Sequence, residues 1–340
     1  MTAPVEPWAS ILDAVRNYPS PHNSQPIRVR VESATTAEVF YDLDRGLPAE
    51  NFGIPFGHVC AGVFLESLAV VAASQGFAVT ESLHPQPMDF AAQHRLHPIA
   101  TVTLTQREIT ERATERREAF DARRTNRRPY DSRPVPDADL APVRDLASSL
   151  GHVFADSTDP GVVAEIIRVN QETLFDDLRN DAVHNEIMTW LRFSRDEAIS
   201  KGDGLSAETM LMPGGLLKFA MGHRGLWEAP VLGRAIKSMY LRTMRGVSHV
   251  AWFEGPFATE ADYVEAGRLF MRAWLELTSR GVSLHPLGTV ITNPRSHARF
   301  VEAAGISEEA PRMAWMLVRL GYAKTPPLAY RRGIEELVVS

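Results

Sequence analysis

The sequence predicts an α+β protein made of two fused halves, the second carrying a long excursion. Helix-spaced segments are interspersed with short, alternating strand-like runs, and two of the long helices look like copies of one another. Size points the same way, since 340 residues exceed an ordinary single domain.

The first helix is read from Trp8 to Tyr18, where Ile11, Leu12 and Val15 recur at helical spacing. Pro19 stops it by pushing the preceding residue out of the right-handed region. A proline-rich loop follows, PSPHNSQP from Pro19 to Pro26, and then Ile27–Val31 and Ala37–Tyr41 alternate like two strands joined by a polar turn. The apolar stretch from Val59 to Ala73 is too short for a membrane span and contains Glu66 and Ser67, which suits a buried helix.

That stretch belongs to AGVFLESLAVVAASQGF (61–77), whose counterpart is AGRLFMRAWLELTSRGV (266–282). Each runs from an Ala-Gly pair to a second glycine, Gly62 to Gly76 and Gly267 to Gly281, and the second sits where a helix takes a left-handed C′ residue. Two unrelated amphipathic helices with glycine stops would read the same way. Duplication of a domain of about half the chain length is the sharper reading.

Between the copies, Thr105 to Phe120 is charged and helical, and RRTNRRPYDSRPVP is a loop ended by prolines. The boundary falls near residue 110, giving halves 1–110 and 111–340. A segment from Phe193 to Gly246, with SKGDGLS and MLMPGGLLKFAMGHRG, is rich in glycine and methionine and has no counterpart in the first half. It reads as an insertion and a candidate lid.

Composition narrows the function classes. Hydrophobic residues make up 44% and charged residues 23%, an ordinary globular balance. A formal net charge of -6 argues against nucleic acid or an anionic membrane as partner. The single cysteine, Cys60, lies in an apolar run and reads as an inert core residue. The N-terminus lacks the pattern of a signal peptide, so a cytoplasmic location is expected. His22, His58, His184, His223, His249 and His285 show no paired ligand spacing, so no metal is assigned.

Three segments carry candidate binding chemistry. The run Arg123, Arg124, Thr125, Asn126, Arg127, Arg128 offers guanidinium forks and a hydroxyl to a phosphate dianion, although a solvated basic face has the same composition. Arg331 and Arg332 share that ambiguity. The prolines of PSPHNSQP hold Ser20, Asn23 and Gln25 as a rigid polar set suited to a planar heteroaromatic ligand, or to capping the loop's own backbone. LHPLGTV (284–290), broken by Pro286 and Gly288, can leave backbone N–H groups aimed at a ligand or can be a simple turn.

PSPHNSQP, then RRTNRRPY, then a helix ending in RGVSLHPLG, and finally PRMAWMLVRLGYAKTPPLAYRRGIEELV together resemble the nitroreductase superfamily, particularly its Acg-like branch of long, fused-half proteins. The resemblance spans nearly the whole chain and is weakest in the insertion. It implies a nitroreductase-like α+β fold whose two halves imitate a two-subunit dimer.

In ordinary members of that family, an Arg/Ser/Arg turn and a C-terminal arginine from one subunit hold the FMN phosphate, and a Pro-Ser-x-x-Asn-x-Gln-Pro loop from the other lies beside the isoalloxazine ring. Carried over, Arg123, Arg124, Thr125 and Arg127 hold the phosphate together with Arg331 or Arg332. Pro19, Ser20, Pro21, Asn23 and Gln25 supply the ring-side loop, and the main chain at Leu287, Gly288 and Thr289 approaches flavin N5. No arginine turn precedes PSPHNSQP and no second such loop follows RRTNRRPY, so one FMN per chain is expected.

The implied activity is ping-pong hydride transfer from NADH or NADPH, through FMN, to an electron-poor small molecule such as a nitroaromatic, quinone or activated alkene. No catalytic side chain is assigned, because the flavin carries the chemistry. The alternatives are an FMN-storage protein with a closed lid, a pathway-specific flavin dehydrogenase or reductase, and a flavin-free interaction protein. The chain is expected to act as a monomeric pseudo-dimer or a weak homodimer.

Overall fold

A computed structural model describes residues 6–229 and 231–339. The extreme N-terminus, where the sequence offers no arginine turn, lies outside the described residues, as does residue 230 within the glycine-rich segment. In chain order the first part holds α1 (Trp8–Val15), β1 (Ile27–Val31), β2 (Thr36–Asp42), α2 (Pro48–Asn51), α3 (Phe56–Ser74), β3 (Phe77–Leu83), β4 (Leu96–Gln106) and α4 (Glu111–Ala122). Next come α5 (Asp137–Ser149), β5 (Val153–Ser157), α6 (Pro160–Asp177), α7 (Asp181–Trp190), β6 (Leu191–Arg192), α8 (Arg195–Lys201), β7 (Leu205–Ser206), α9 (Gly214–Gly222) and α10 (Leu232–Thr243). The chain closes with β8 (His249–Pro256), α11 (Glu260–Ser279), β9 (Ser283–Pro286), α12 (Gly288–Thr292), α13 (Pro294–Ala304), β10 (Arg312–Gly321) and α14 (Ile334–Leu337).

The result is a mixed α and β fold around two antiparallel four-stranded sheets. One has the order β1-β2-β4-β3 and the other β5-β8-β10-β9. Numbered within each sheet, the two orders are the same. Each sheet is preceded by one helix, α1 or α5, and each has a long helix, α3 or α11, between its second and third strands.

The two long helices pack directly on each other. A Cβ added at Gly62 would come within 1.9 Å of the Val264 carbonyl oxygen, and one at Gly267 within 2.0 Å of that of Val59. The contact is reciprocal, each glycine facing the carbonyl three residues before the other. In the sequence these glycines read as helix beginnings, whereas the helices start earlier, at Phe56 and Glu260, and the glycines mark their crossing. Gly76 and Gly281 do take positive φ values of 84° and 72° after the helix ends.

α3 is buried on nearly every side, which is why it is apolar around its whole circumference rather than along one stripe. With 19 residues it is long enough to cross a bilayer, contrary to the length argument from sequence; 89% of its most apolar window is instead buried inside the protein. Glu66, only 3% exposed at its centre, accepts from Arg116 of α4 at 2.7 Å and from Arg272 of α11 at 2.9 Å. The charge is thereby matched where it is buried. One continuous core includes Phe64 and Leu68 of α3, Leu269 and Trp274 of α11, and residues of both sheets.

The sheets differ in what joins their first two strands. β1 and β2 are joined by residues 32–35, whereas β5 and β8 are separated by residues 158–248. The excursion therefore begins well before Phe193, because α6 and α7 also belong to it. It builds a second apolar cluster from Phe175, Val183, Ile187, Leu217, Met221 and Trp227. The tail after β10 returns to the first half, where Val338 bridges Val29 and α14 packs on β1.

Candidate functional site

Between the two halves and beneath the excursion lies a cavity of about 370 Å³, within the size range of small-molecule and cofactor sites. Pro19, Ser20 and Pro21 form part of one wall, Pro286, Leu287, Gly288 and Thr289 part of another, and Thr125 and Arg127 reach it from the arginine run. Phe270 and Trp274 of α11 and Val59, Cys60 and Val63 of α3 line the side between the halves. Sequence-predicted residues from three distant segments thus meet in one space.

The others stand behind that wall. Asn23 Nδ2 donates to the Gly204 and Tyr330 carbonyls at 3.1 and 3.0 Å, and its Oδ1 accepts from Arg331. Gln25 Nε2 donates to the Gly202 carbonyl at 2.9 Å, while its Oε1 accepts from the Arg332 backbone N–H at 3.1 Å. The Ser20 hydroxyl accepts from the Gln25 N–H at 2.9 Å. These side chains lock the loop, the excursion and the C-terminal tail together. His22, Asn23 and Gln25 hold positive φ values of 49°, 55° and 51°, strain that the surrounding bonds maintain.

The arginine run is extended, with Thr125 bridged to Leu284. Arg123 and Arg127 lie on opposite sides of that bridge along the chain. Their surroundings differ accordingly. Arg123 is buried with its guanidinium 4.6 Å from the centre of the Trp274 ring, and burial, then Arg331 and Arg124, push it down to about 9. Burial likewise pushes Arg331 down to about 10, with Tyr18 opposing and Arg124 and Arg16 adding to the shift. The Nε atoms of Arg123, Arg124 and Arg331 and one terminal nitrogen of Arg332 are buried without a hydrogen-bond partner.

Arg127 sits in a second polar group. Burial, then Arg319, depress it to about 10, while Tyr240 opposes. Among the described residues it has no hydrogen bond and no ion pair. Beside it, burial and the charges of Arg319 and Arg127 push His285 far down, so its ring is neutral. His285 Nδ1 accepts from Arg319 Nε at 3.1 Å, which leaves the Nε2–H as donor. Asn170 Nδ2 donates to the Tyr240 hydroxyl at 2.7 Å, and both residues line the cavity from the excursion.

None of Arg123, Arg124, Arg127 and Arg331 forms an ion pair with a carboxylate of the described residues. Buried or half-buried cations left so are costly, and an anion placed among them relieves that cost. Arg123, Arg124 and Arg331 form one such set, and Arg127 is separate. At the other wall the first N–H groups of α12, at Gly288 and Thr289, have no acceptor among the described residues, as expected of a helix start.

The excursion closes the space with Leu174, Phe175, Ile187, Met210, Met212, Leu217, Met221 and Trp227. His184 of α7 is bonded to the Met221 carbonyl at 2.9 Å, and the Trp227 indole N–H donates to the Ala220 carbonyl at the same distance. Phe219, within the candidate lid segment, is 42% exposed and stacks on His223.

Sequence reasoning reaches His285 only through LHPLGTV and the histidine spacing, and passes over Glu50 and Tyr240. LHP occurs at 83–85, from the last residue of β3, and again at 284–286, within β9. Glu50 and Tyr240 carry no motif.

No protein-family model and no curated protein matches the chain. Among solved structures it is similar to the FMN-dependent nitroreductase NfnB from Mycobacterium smegmatis in complex with NADPH, with 16% identity, 66% of this chain and 97% of that one covered, and a TM-score of 0.39. It is also similar to an FMN-bound nitroreductase from Desulfitobacterium hafniense, at 14% identity, 66% and 98% coverage and a TM-score of 0.39. A third, from Bacteroides fragilis with bound FMN, has 14% identity, 64% and 94% coverage and a TM-score of 0.37.

Proposed function

We propose that the chain is an FMN-dependent oxidoreductase in which two duplicated halves act as an intramolecular pseudo-dimer and hold one flavin between them. The observation that carries this is the cavity between the halves, apolar along its walls and backed by buried arginines that lack counter-ions. Arginine charges without a carboxylate partner fit a phosphate group, and apolar walls fit a fused aromatic ring.

In this reading Arg123, Arg124 and Arg331 hold the phosphate, with Thr125 beside them. Pro19, Ser20 and Pro21 would hold the ring system from the first half, and Leu287, Gly288, Thr289 and Arg127 would hold it from the second. Asn23, Gln25 and Arg332 act one step back, by fixing the loop against the tail. The excursion excludes water from the enclosed space. FMN, when bound, supplies hydride transfer from NADH or NADPH to an electron-poor small molecule such as a nitroaromatic, a quinone or an activated alkene.

The test is the absorption spectrum of the purified protein, followed by anaerobic addition of NADH and NADPH. Flavin bands at one FMN per chain, bleached by one or both donors, support the reading. A protein that purifies colourless and takes up no added FMN refutes it.

A further inference from the structure

We propose that the hollow core of the excursion is the binding chamber for the acceptor and takes an uncharged, flat, fused-ring molecule, a reading that rests on the flavin-dependent function above. The excursion's apolar cluster does not fill its own interior. Of its buried members only Val183 and Ala207 do not line the cavity. Leu174, Met210 and Met212 pack against the cluster, line the same space and are partly exposed. Apolar side chains in a protein interior ordinarily fill the space between them at the density of an organic crystal. A set that surrounds open volume leaves room for a molecule of its own kind, because apolar cavities stay dry and take up apolar ligands.

Shape and polarity define that molecule. The Phe175 ring stands edge-on to Trp227, with centroids 5.5 Å apart, and edge-on to Tyr240 at 6.3 Å, so three aromatic residues line one stretch of the chamber. Met210, Met212 and Met221 add polarizable surface that adapts to an aromatic ring. Several polar groups of this wall are engaged within the protein. The Trp227 indole N–H donates to the Ala220 carbonyl at 2.9 Å, Asn170 Nδ2 to the Tyr240 hydroxyl at 2.7 Å, and the Thr243 hydroxyl to the Tyr240 carbonyl at 2.6 Å.

Among the described residues, no excursion side chain that lines the cavity is charged. An ionic group seated against this wall gives up its hydration and meets no counter-charge there. The residues assigned to the flavin, Pro19, Ser20, Pro21, Leu287, Gly288, Thr289 and the arginines, all lie outside the excursion. Cofactor and acceptor therefore divide the cavity by polarity, the cofactor taking the walls of the two halves and the acceptor the wall of the excursion.

The experiment is equilibrium dialysis of nitronaphthalene and of nitronaphthalene sulfonate, which differ by one anionic group, against the oxidised, flavin-loaded full chain. Nitronaphthalene should bind at least about tenfold more tightly than the sulfonate, with FMN retained at one per chain. Leu174→Trp, which fills the chamber, should weaken nitronaphthalene binding by at least about tenfold, and Met221→Ala, which strips contact surface from it, by about tenfold. If one variant does not fold, the other decides. Equal or tighter binding of the sulfonate, or unchanged nitronaphthalene affinity in either folded variant, overturns the proposal. Release of FMN as nitronaphthalene binds overturns it too, because the flavin itself then occupies the chamber. A wild-type protein that takes up no FMN overturns the underlying function instead.

Discussion

At the scale of single residues, the two ends of the arginine run carry different electrostatic burdens. Arg123 shares its burial with Arg124 and Arg331, whereas Arg127 shares its own with Arg319 and His285. FMN and riboflavin differ only by the phosphate, so they separate the two roles. Arg123→Ala or Arg331→Ala should weaken FMN binding by about 1.5–3 kcal/mol, roughly ten- to a hundredfold, and leave riboflavin affinity nearly unchanged. Arg127→Ala should weaken both ligands alike. Fluorescence titration checks this, and equal losses for the two ligands in the Arg123 variant would remove it from the phosphate site. The basic run was legible in the sequence because its charges are contiguous. Its division was not, because which arginine shares a neighbourhood with which depends on the bridge from Thr125 to Leu284 and on a tail that returns from the far end of the chain.

At the scale of elements, the crossing of α3 and α11 depends on two glycines. The sequence shows that the helices are alike but misplaces the function of Gly62 and Gly267, since an Ala-Gly pair reads as a boundary until the partner helix is known. Backbone oxygens 1.9 and 2.0 Å from where a Cβ would sit cannot yield as a flexible side chain would. Gly62→Ala or Gly267→Ala should therefore cost about 3 kcal/mol or more by forcing the helices apart. Gly215→Ala in α9 is the control, because nothing lies within 4 Å of its added Cβ and alanine favours the helix by up to about 1 kcal/mol. Urea unfolding of the three variants measures the contrast. Loss of stability in the Gly215 variant equal to that in the Gly62 variant would show that the crossing is not the weak point. The same scale explains the misplaced start of the excursion: α6 and α7 have ordinary amphipathic patterns, and only the pairing of β5 with β8 reveals that they interrupt a hairpin.

At the scale of the whole molecule, the likeness of the two long helices was legible in the sequence, and the resemblance implied a site shared between the halves, but the direct packing of those helices on each other was not legible. Sequence similarity between two helices says nothing about whether they touch. In the structure α3 and α11 share a core, Glu66 of the first half relies on Arg272 of the second, and Val338 from the tail bridges Val29 of the first sheet. A cut near residue 110 separates α3 from its packing partner and leaves the carboxylate of Glu66 with neither of its arginines, a loss of about 3–5 kcal/mol even before the exposed apolar surface is counted. It also parts Pro19, Ser20 and Pro21 from Arg123, Arg331 and Gly288. Neither fragment expressed alone should show a cooperative thermal transition or retain FMN, and co-expressed fragments should recover both properties. Circular dichroism and flavin fluorescence on the separate and co-expressed fragments check this. If residues 111–340 alone bind FMN with the affinity of the full chain, the flavin is not shared between the halves and the pseudo-dimer arrangement fails.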